Sequence, residues 1–263
     1  MTVTTGMLGR GFYNRHSAPQ WATIDYVLPW LEEALLSMDL SLAPHTVALA
    51  DFGCSEGKNS IAAMQRILSV LRKRTAGPLA TIHSDLATND FSALFTNLRA
   101  DGRSAFPFDN VYSSAVAGSM YDQLLPPASL CIATTFNAVG YFNRRPLERF
   151  PGFIQPNGPS AARNIGTVTA KERAEFAQQA ADDVSAFLTA RAAELVRGGK
   201  LLVEVFGASG SRDAGQGIYA ALNDAILEVV KTGRIGGDEY ERYYQPIYFR
   251  TPRSPARSPE AAR

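Results

Sequence analysis

The stretch Val47-Ala48-Leu49-Ala50-Asp51-Phe52-Gly53-Cys54-Ser55-Glu56-Gly57-Lys58-Asn59-Ser60 constrains the fold more than any other part of the chain. An apolar run ending in one carboxylate, then glycines at 53 and 57, then polar residues, predicts a buried strand, a tight turn and the start of a helix. Open α/β sheets bind ligands outside the carboxyl ends of their strands, which is where Asp51 falls. Glycine permits positive φ or close approach of a ligand to the backbone, although an ordinary turn would use the same residues. Neither common nucleotide motif is present. The third glycine of the dinucleotide fingerprint is missing, and Lys58 is followed by Asn59 rather than the Ser or Thr of a phosphate loop.

The same alternation continues along the chain. Ala80–Ser84 reads as a second strand with Asp85 at its end, placed either to accept ribose hydroxyls of a nucleotide-like cofactor or to cap a helix. Asn89 or Asp90 caps the helix marked by Phe91, Leu94, Phe95 and Leu98. Asp109–Val116, Leu130–Phe136 and Leu201–Phe206 complete five strands. Helical periodicity runs from Trp21 to Met38 with Pro29 predicting a bend, and over Ile61, Met64, Leu68 and Leu71. It returns in a long segment from Phe176 to Leu195, stopped by Gly198-Gly199, and over Ile218, Leu222, Ile226 and Val230. This order predicts an α/β fold with a doubly wound, mainly parallel sheet and right-handed crossovers. Residues 143–166 lack periodicity and form a long excursion of the functional or disordered kind. The polar tail 251–263 should be disordered, and no second core separates another domain from 1–250.

Charge and cysteine usage exclude several classes. With 26 basic and 25 acidic residues the net charge is +1, so no global field favours nucleic acid or a membrane surface, and the expected partner is a small molecule. No run of about 20 apolar residues exists for a membrane span, and no basic segment leads into an apolar one at the amino end. Cys54 and Cys131 are too few for a disulfide framework and lack zinc-ligand neighbours, which points to a reducing, cytoplasmic setting without a metal. Near the amino end, Phe12 and Tyr13 stand beside Asn14, His16, Ser17 and Gln20, a mixture suited to a lid over a ligand.

Four ordered segments together resemble the SABATH family of methyltransferases: Gly11–Gln20, Ala50–Ser60, Ser84–Phe91 and Val116–Pro126. Weaker similarity continues to Pro246. The resemblance implies a class I, Rossmann-like fold with a partly helical substrate cap near 143–175 and 207–245, and S-adenosyl-L-methionine as cofactor. Ser17, Gln20, Asp51, Gly53 and Asn59 would then line the methionine side, Asp85 would hold the ribose, and Leu86, Ser119 and Met120 would frame the adenine. Phe12, Tyr13, Gln20 and Tyr141 would face a small-molecule methyl acceptor, and a homodimer is one expectation for the assembly. Two departures stand out. Gly140 and Tyr141 occupy the places of a His-Trp pair that faces the substrate in carboxyl-methylating relatives, so the glycine should enlarge the pocket. After Tyr248–Pro252 the final two strands of the family's sheet are expected to be missing.

Methyl transfer from a sulfonium needs neither a metal nor a protein nucleophile, only a carboxylate or ring nitrogen held in line with the methyl group. A carboxylate acceptor is already ionised at neutral pH. His16 could serve an acceptor that must lose a proton, although a surface or capping role suits it better, and His45 and His83 read as structural. Three readings therefore stand: a small-molecule methyltransferase, a shortened relative that binds cofactor or partners without turnover, and, least favoured, a nicotinamide oxidoreductase.

Overall fold

The structure is a computed structural model and describes residues 8–159, 166–209, 212–213 and 216–250. The chain forms two compact units, one from Thr5–Val139 with Ala186–Glu204, the other from Met1–Thr4, Gly140–Ser185 and Val205–Arg263.

The first unit carries the sheet. Its strands are β1 (Val47–Phe52), β2 (Leu79–Asp85), β3 (Val111–Ala117), β4 (Leu130–Phe136) and β5 (Leu195–Glu204), all parallel, in the order β3-β2-β1-β4-β5. β1 lies at the centre and every one of its residues is buried. A strand covered on both faces has no solvent side to leave polar, which is why Val47–Ala50 reads as a continuous apolar run. Strand order reverses between β1 and β4, so the carboxyl ends around Asp51 form the crevice where such sheets bind ligands.

Helices α1 (Phe12–His16), α2 (Ala18–Leu36), α3 (Lys58–Arg72) and α4 (Phe91–Leu98) belong to the same unit. α3 buries Ile61, Met64, Ile67, Leu68 and Leu71 in a core shared with Leu31 and Leu35 of α2, Leu49 of β1 and Ile132 of β4. Each fully buried Leu or Ile contributes roughly 1.5–3 kcal/mol. Pro29 lies inside α2 without ending it.

The junction of the long helix with the last strand departs from the sequence reading. α5 (Ala170–Glu194) stops at Glu194, and Leu195 is already the first residue of β5, which takes in Gly198-Gly199. Leu130 pairs with Leu195 but Ile132 pairs with Lys200, so β5 bulges where the glycines fall. Gly198 has φ 79°, and a side chain at Gly199 would stand 3.1 Å from the Cys131 carbonyl. The glycines therefore shape an edge strand instead of terminating a helix.

In the second unit, residues 143–159 are not the loose excursion expected. Phe150 and Phe153 are buried with Phe142, Val168, Phe176, Ala180 and Tyr244, and the Phe150 and Phe176 rings meet edge-on at 4.9 Å. Backbone bonds tie the segment down: Phe150 N–H donates to the Glu241 carbonyl at 2.6 Å, and Gln245 N–H to the Ile154 carbonyl at 2.8 Å. The unit also holds the short strands β6 (Ala208–Ser209) and β7 (Arg212–Asp213) and the helices α6 (Gln216–Lys231) and α7 (Gly237–Arg242). α7 has no counterpart in the sequence reading. Residues 160–165 and the tail 251–263, read as loop and disordered tail, lie outside the described residues.

Candidate functional site

The crevice is built around two carboxylates, one buried and one partly buried. Asp51 ends β1 and accepts a hydrogen bond from the Thr134 hydroxyl on Oδ1 at 2.8 Å. Burial raises its carboxyl to about 6 against the opposing hydrogen bonds from Ser60 and Thr134, with the nearby Asp85 charge adding to the rise. The Ser60 hydroxyl also lies 2.9 Å from His83 Nδ1. Desolvation lowers His83 to about 4, so the ring is neutral at physiological pH. When Ser60 donates its single proton to Asp51, His83 must donate from Nδ1, which leaves its buried Nε2 as an acceptor without a partner.

Asp85 ends β2 beside it. Its Oδ2 accepts Ser55 N–H at 2.6 Å and its Oδ1 accepts Leu86 N–H at 2.8 Å, so the carboxylate pins both turns. Burial raises its pKa, and those two backbone bonds oppose the rise. Helix capping falls to Asp90, whose side chain accepts Ala93 N–H at 3.0 Å. Among the described residues neither Asp51 nor Asp85 forms an ion pair.

The intervening turn depends on its glycines. Gly53 has φ 97°, and a Cβ there would stand 2.4 Å from the Cβ of Ala138 and 3.6 Å from Cε of Met120. Gly57 has φ 96°, with Leu94 Cδ1 only 2.5 Å from where a Cβ would stand. Any side chain at either position would be strained and would displace a neighbour.

The amino-terminal segment rests on this turn. Ser17 is buried, and its hydroxyl lies 3.4 Å from Asn59 Oδ1; Asn59 Nδ2 donates to the Ser17 carbonyl at 3.1 Å and to the Tyr13 hydroxyl at 3.4 Å. Asn59 thus gathers Ser17 and Tyr13 as well as lining the crevice. Gln20 Oε1 is buried without a hydrogen-bond partner. Phe12 is exposed, with its ring 4.7 Å from that of His16.

Sequence reasoning missed Glu56. It is 1% exposed, and its carboxylate accepts Gly11 N–H at 2.5 Å and Asn14 N–H at 3.1 Å, capping α1 from across the turn. Asn14 answers by accepting Lys58 N–H at 3.2 Å. The one available signal was an acidic residue flanked by turn residues in a stretch otherwise buried.

A second omission holds the loop after β3. Arg191 and Glu194 are fully buried on α5, and Arg191 donates to the carbonyls of Met120 at 2.8 Å and Asp122 at 3.0 Å. Glu194 Oε1 accepts Leu124 N–H at 2.6 Å and Leu125 N–H at 2.9 Å. Ser119 and Met120 are therefore placed by an ion pair some 70 residues away.

Tyr141 belongs to the other unit. It is bridged to Ile247, and desolvation raises its hydroxyl above the usual range. Beside it, a Cβ at Gly140 would stand 3.4 Å from side-chain atoms of both Ile247 and Val205. The glycine permits close packing in that direction, where the sequence reading expected added room.

The first unit thus combines a buried and a partly buried carboxylate with no cation among the described residues, an unpartnered Gln20 oxygen and a glycine-bearing turn. These features fit an organic group that carries positive charge and hydroxyl donors. Among the described residues no cluster suits a metal ion, and no helix is long and apolar enough to cross a membrane.

The chain has recognisable relatives among known proteins. Residues 2–255 match the family of SAM dependent carboxyl methyltransferases. Methyltransferase LUC1 from Fusarium sp is 28% identical over 254 residues, covering 93% of this chain and 64% of its own length. The chain thus spans just under two thirds of that relative. The benzoic acid/salicylic acid carboxyl methyltransferase 3 of Petunia hybrida is 28% identical over 258 residues, covering 93% of this chain and 71% of its own. Among solved structures, loganic acid methyltransferase with SAH superposes with a TM-score of 0.78 at 23% identity, over 97% of this chain and 73% of that one, which establishes the shared fold. A matching family profile along almost the whole chain, a shared fold and a crevice of the required chemistry lead to one assignment: the chain belongs to the SAM-dependent carboxyl methyltransferase family.

Proposed function

We propose that this protein transfers the methyl group of S-adenosylmethionine to a carboxylate or ring nitrogen of a small metabolite. The observation that carries the reading is the pair Asp51, buried, and Asp85, partly buried, at adjacent strand ends with no compensating cation among the described residues. When bound, the cofactor supplies an activated methyl group and the positive charge this pair lacks. Asp51 faces the methionine end with Ser17, Gln20 and Asn59, Asp85 accepts ribose hydroxyls on lone pairs not used by Ser55 and Leu86, and Leu86, Ser119 and Met120 frame the base. Phe12, Tyr13 and Gln20 orient the acceptor. Orientation and exclusion of water supply the catalysis, worth roughly 7–11 kcal/mol in well-aligned systems. The buried free thiols of Cys54 and Cys131 support a reducing, cytoplasmic setting.

The direct test is release of S-adenosylhomocysteine from S-adenosylmethionine with a panel of small aromatic acids and N-heterocycles. Turnover with any member is the expected result. Tight cofactor binding without turnover across the panel would favour a binding protein instead.

Asp51 adds a pH signature. Its folded-state pKa of about 6 exceeds the ordinary 3.8, so the folded protein holds this proton more firmly than the unfolded chain and loses stability as pH rises through that window. A cation bound beside it favours the carboxylate and reverses the effect. S-adenosylmethionine affinity should therefore strengthen from pH 5 to pH 7, with release of about half a proton at pH 6, rising towards about one at pH 5. Calorimetry in buffers of different ionisation enthalpy measures both, and a flat profile would remove Asp51 from the cation-binding role.

A further inference from the structure

The ends of β4 and β5 hold a second polar cluster that the cofactor reading does not use. Asn137, directly after β4, is 7% exposed and sits at φ 59° in the left-handed region. Its Nδ2 lies 3.2 Å from Glu204 Oε2 and 3.4 Å from the Thr23 hydroxyl. Because both partners accept, the amide nitrogen must face them and Oδ1 must point away. That Oδ1 is buried and unpartnered, as is Gln20 Oε1 one helical turn before Thr23. Thr23 and Gln20 are joined directly, the Thr23 hydroxyl donating to the Gln20 carbonyl at 2.9 Å.

Glu204 ends β5 as Asp51 ends β1. Burial raises its pKa, opposed by a hydrogen bond from Thr23 when that hydroxyl turns from the Gln20 backbone carbonyl and by one from Asn137, and no ion pair to it exists among the described residues. The cluster also adjoins the cofactor crevice: Ala138, next to Asn137, is the residue that a side chain at Gly53 would strike. An unused Asn137 oxygen and the carboxylate to which the same amide donates present acceptors and negative charge. A carboxylate ligand would meet repulsion there, whereas an N–H or ammonium group would satisfy what the cluster leaves open.

We propose that Glu204, with Asn137, is a specificity-determining group that selects a methyl acceptor donating a hydrogen bond, an N–H heterocycle or amine, over a free carboxylate. The inference rests on the methyl-transfer reading and narrows its acceptor. The test uses the full chain saturated with S-adenosylhomocysteine at pH 8, titrated calorimetrically with benzimidazole and with benzoate as probes. Benzimidazole should bind at least about tenfold more tightly, a margin within reach of one hydrogen bond to a charged group. Glu204→Gln, of the same shape, should remove that margin by weakening benzimidazole and strengthening benzoate. The wild-type ratio needs no variant to fold. Benzoate binding as tightly as benzimidazole, or a ratio unchanged in Glu204→Gln, would overturn the proposal while leaving methyl transfer intact. Absence of S-adenosylhomocysteine binding at the first step would overturn both.

Discussion

Arg191→Ala should destabilise the protein by about 3–5 kcal/mol, the cost of breaking a buried ion pair from one side. At roughly 2–4 °C per kcal/mol for a protein of this size, the melting midpoint should fall by about 6–20 °C. Arg191 Nε donates to Glu194 Oε2 at 2.8 Å and Nη2 to Oε1 at 2.9 Å. The guanidinium carbon lies 3.7 Å over the Phe52 ring, and further donors satisfy the Met120 and Asp122 carbonyls. Truncation leaves the Glu194 carboxylate buried without a cation, two carbonyls without donors and a void against Phe52. Burial lowers the Arg191 pKa and Glu194 opposes the fall, so the pair exists only because each member is there for the other. Replacing both residues with methionine should recover only part of the lost stability, since that removes the stranded charge but also the acceptor of the Leu124 and Leu125 N–H groups. Thermal melts of the single and double variants measure this, and a single variant as stable as the native chain would refute it.

The second large effect is on binding. Asp85→Asn should weaken S-adenosylhomocysteine by on the order of 100-fold, because two hydrogen bonds to a charged acceptor are each worth roughly 1.5–3 kcal/mol and each 1.4 kcal/mol is tenfold. The unliganded protein should keep its melting temperature to within a few degrees. Burial raises the Asp85 pKa, so above that value the ionised group costs the folded state stability, and the amide removes this cost while forfeiting one backbone bond to Ser55 or Leu86. Calorimetry gives the affinity and melts with and without ligand give the coupling. An unchanged dissociation constant would exclude Asp85 from the ribose role.

The parts of the site that were legible in sequence are those encoded locally. A strand buried on both faces, a carboxylate at its end, glycines at positive φ and a helix beginning after them occupy fourteen consecutive residues, so Asp51, Gly53 and Gly57 could be read without any distant contact. Asp85 followed from the same rule applied to β2. Arg191, Glu194 and Glu204 could not be read this way. Each is a charged residue whose partners lie far along the chain: Arg191 and Glu194 are buried against the loop after β3, and Glu204 is partly buried against Asn137. Gly198-Gly199 misled for a related reason: glycine marks a permitted backbone conformation, and whether that ends a helix or bulges a strand is decided by β4 alongside. The aromatics of 143–159 carry no period because they pack from an irregular segment onto α5.

Glu56 has a kinetic meaning beyond its packing. The segment carrying Tyr13 and Ser17 is fastened to the turn by the Glu56 carboxylate, the Asn14 amide and the Lys58 ammonium, which donates to the Asn14 carbonyl at 2.9 Å. Floor and cover are therefore one latched piece, and any motion that uncovers the crevice must release this set of bonds together. At roughly 0.5–1.5 kcal/mol for each ordinary bond, and more where a charge takes part, the latch opens rarely but cheaply compared with unfolding. On the methyl-transfer reading proposed above, exchange of spent for fresh cofactor would wait on the release of that latch.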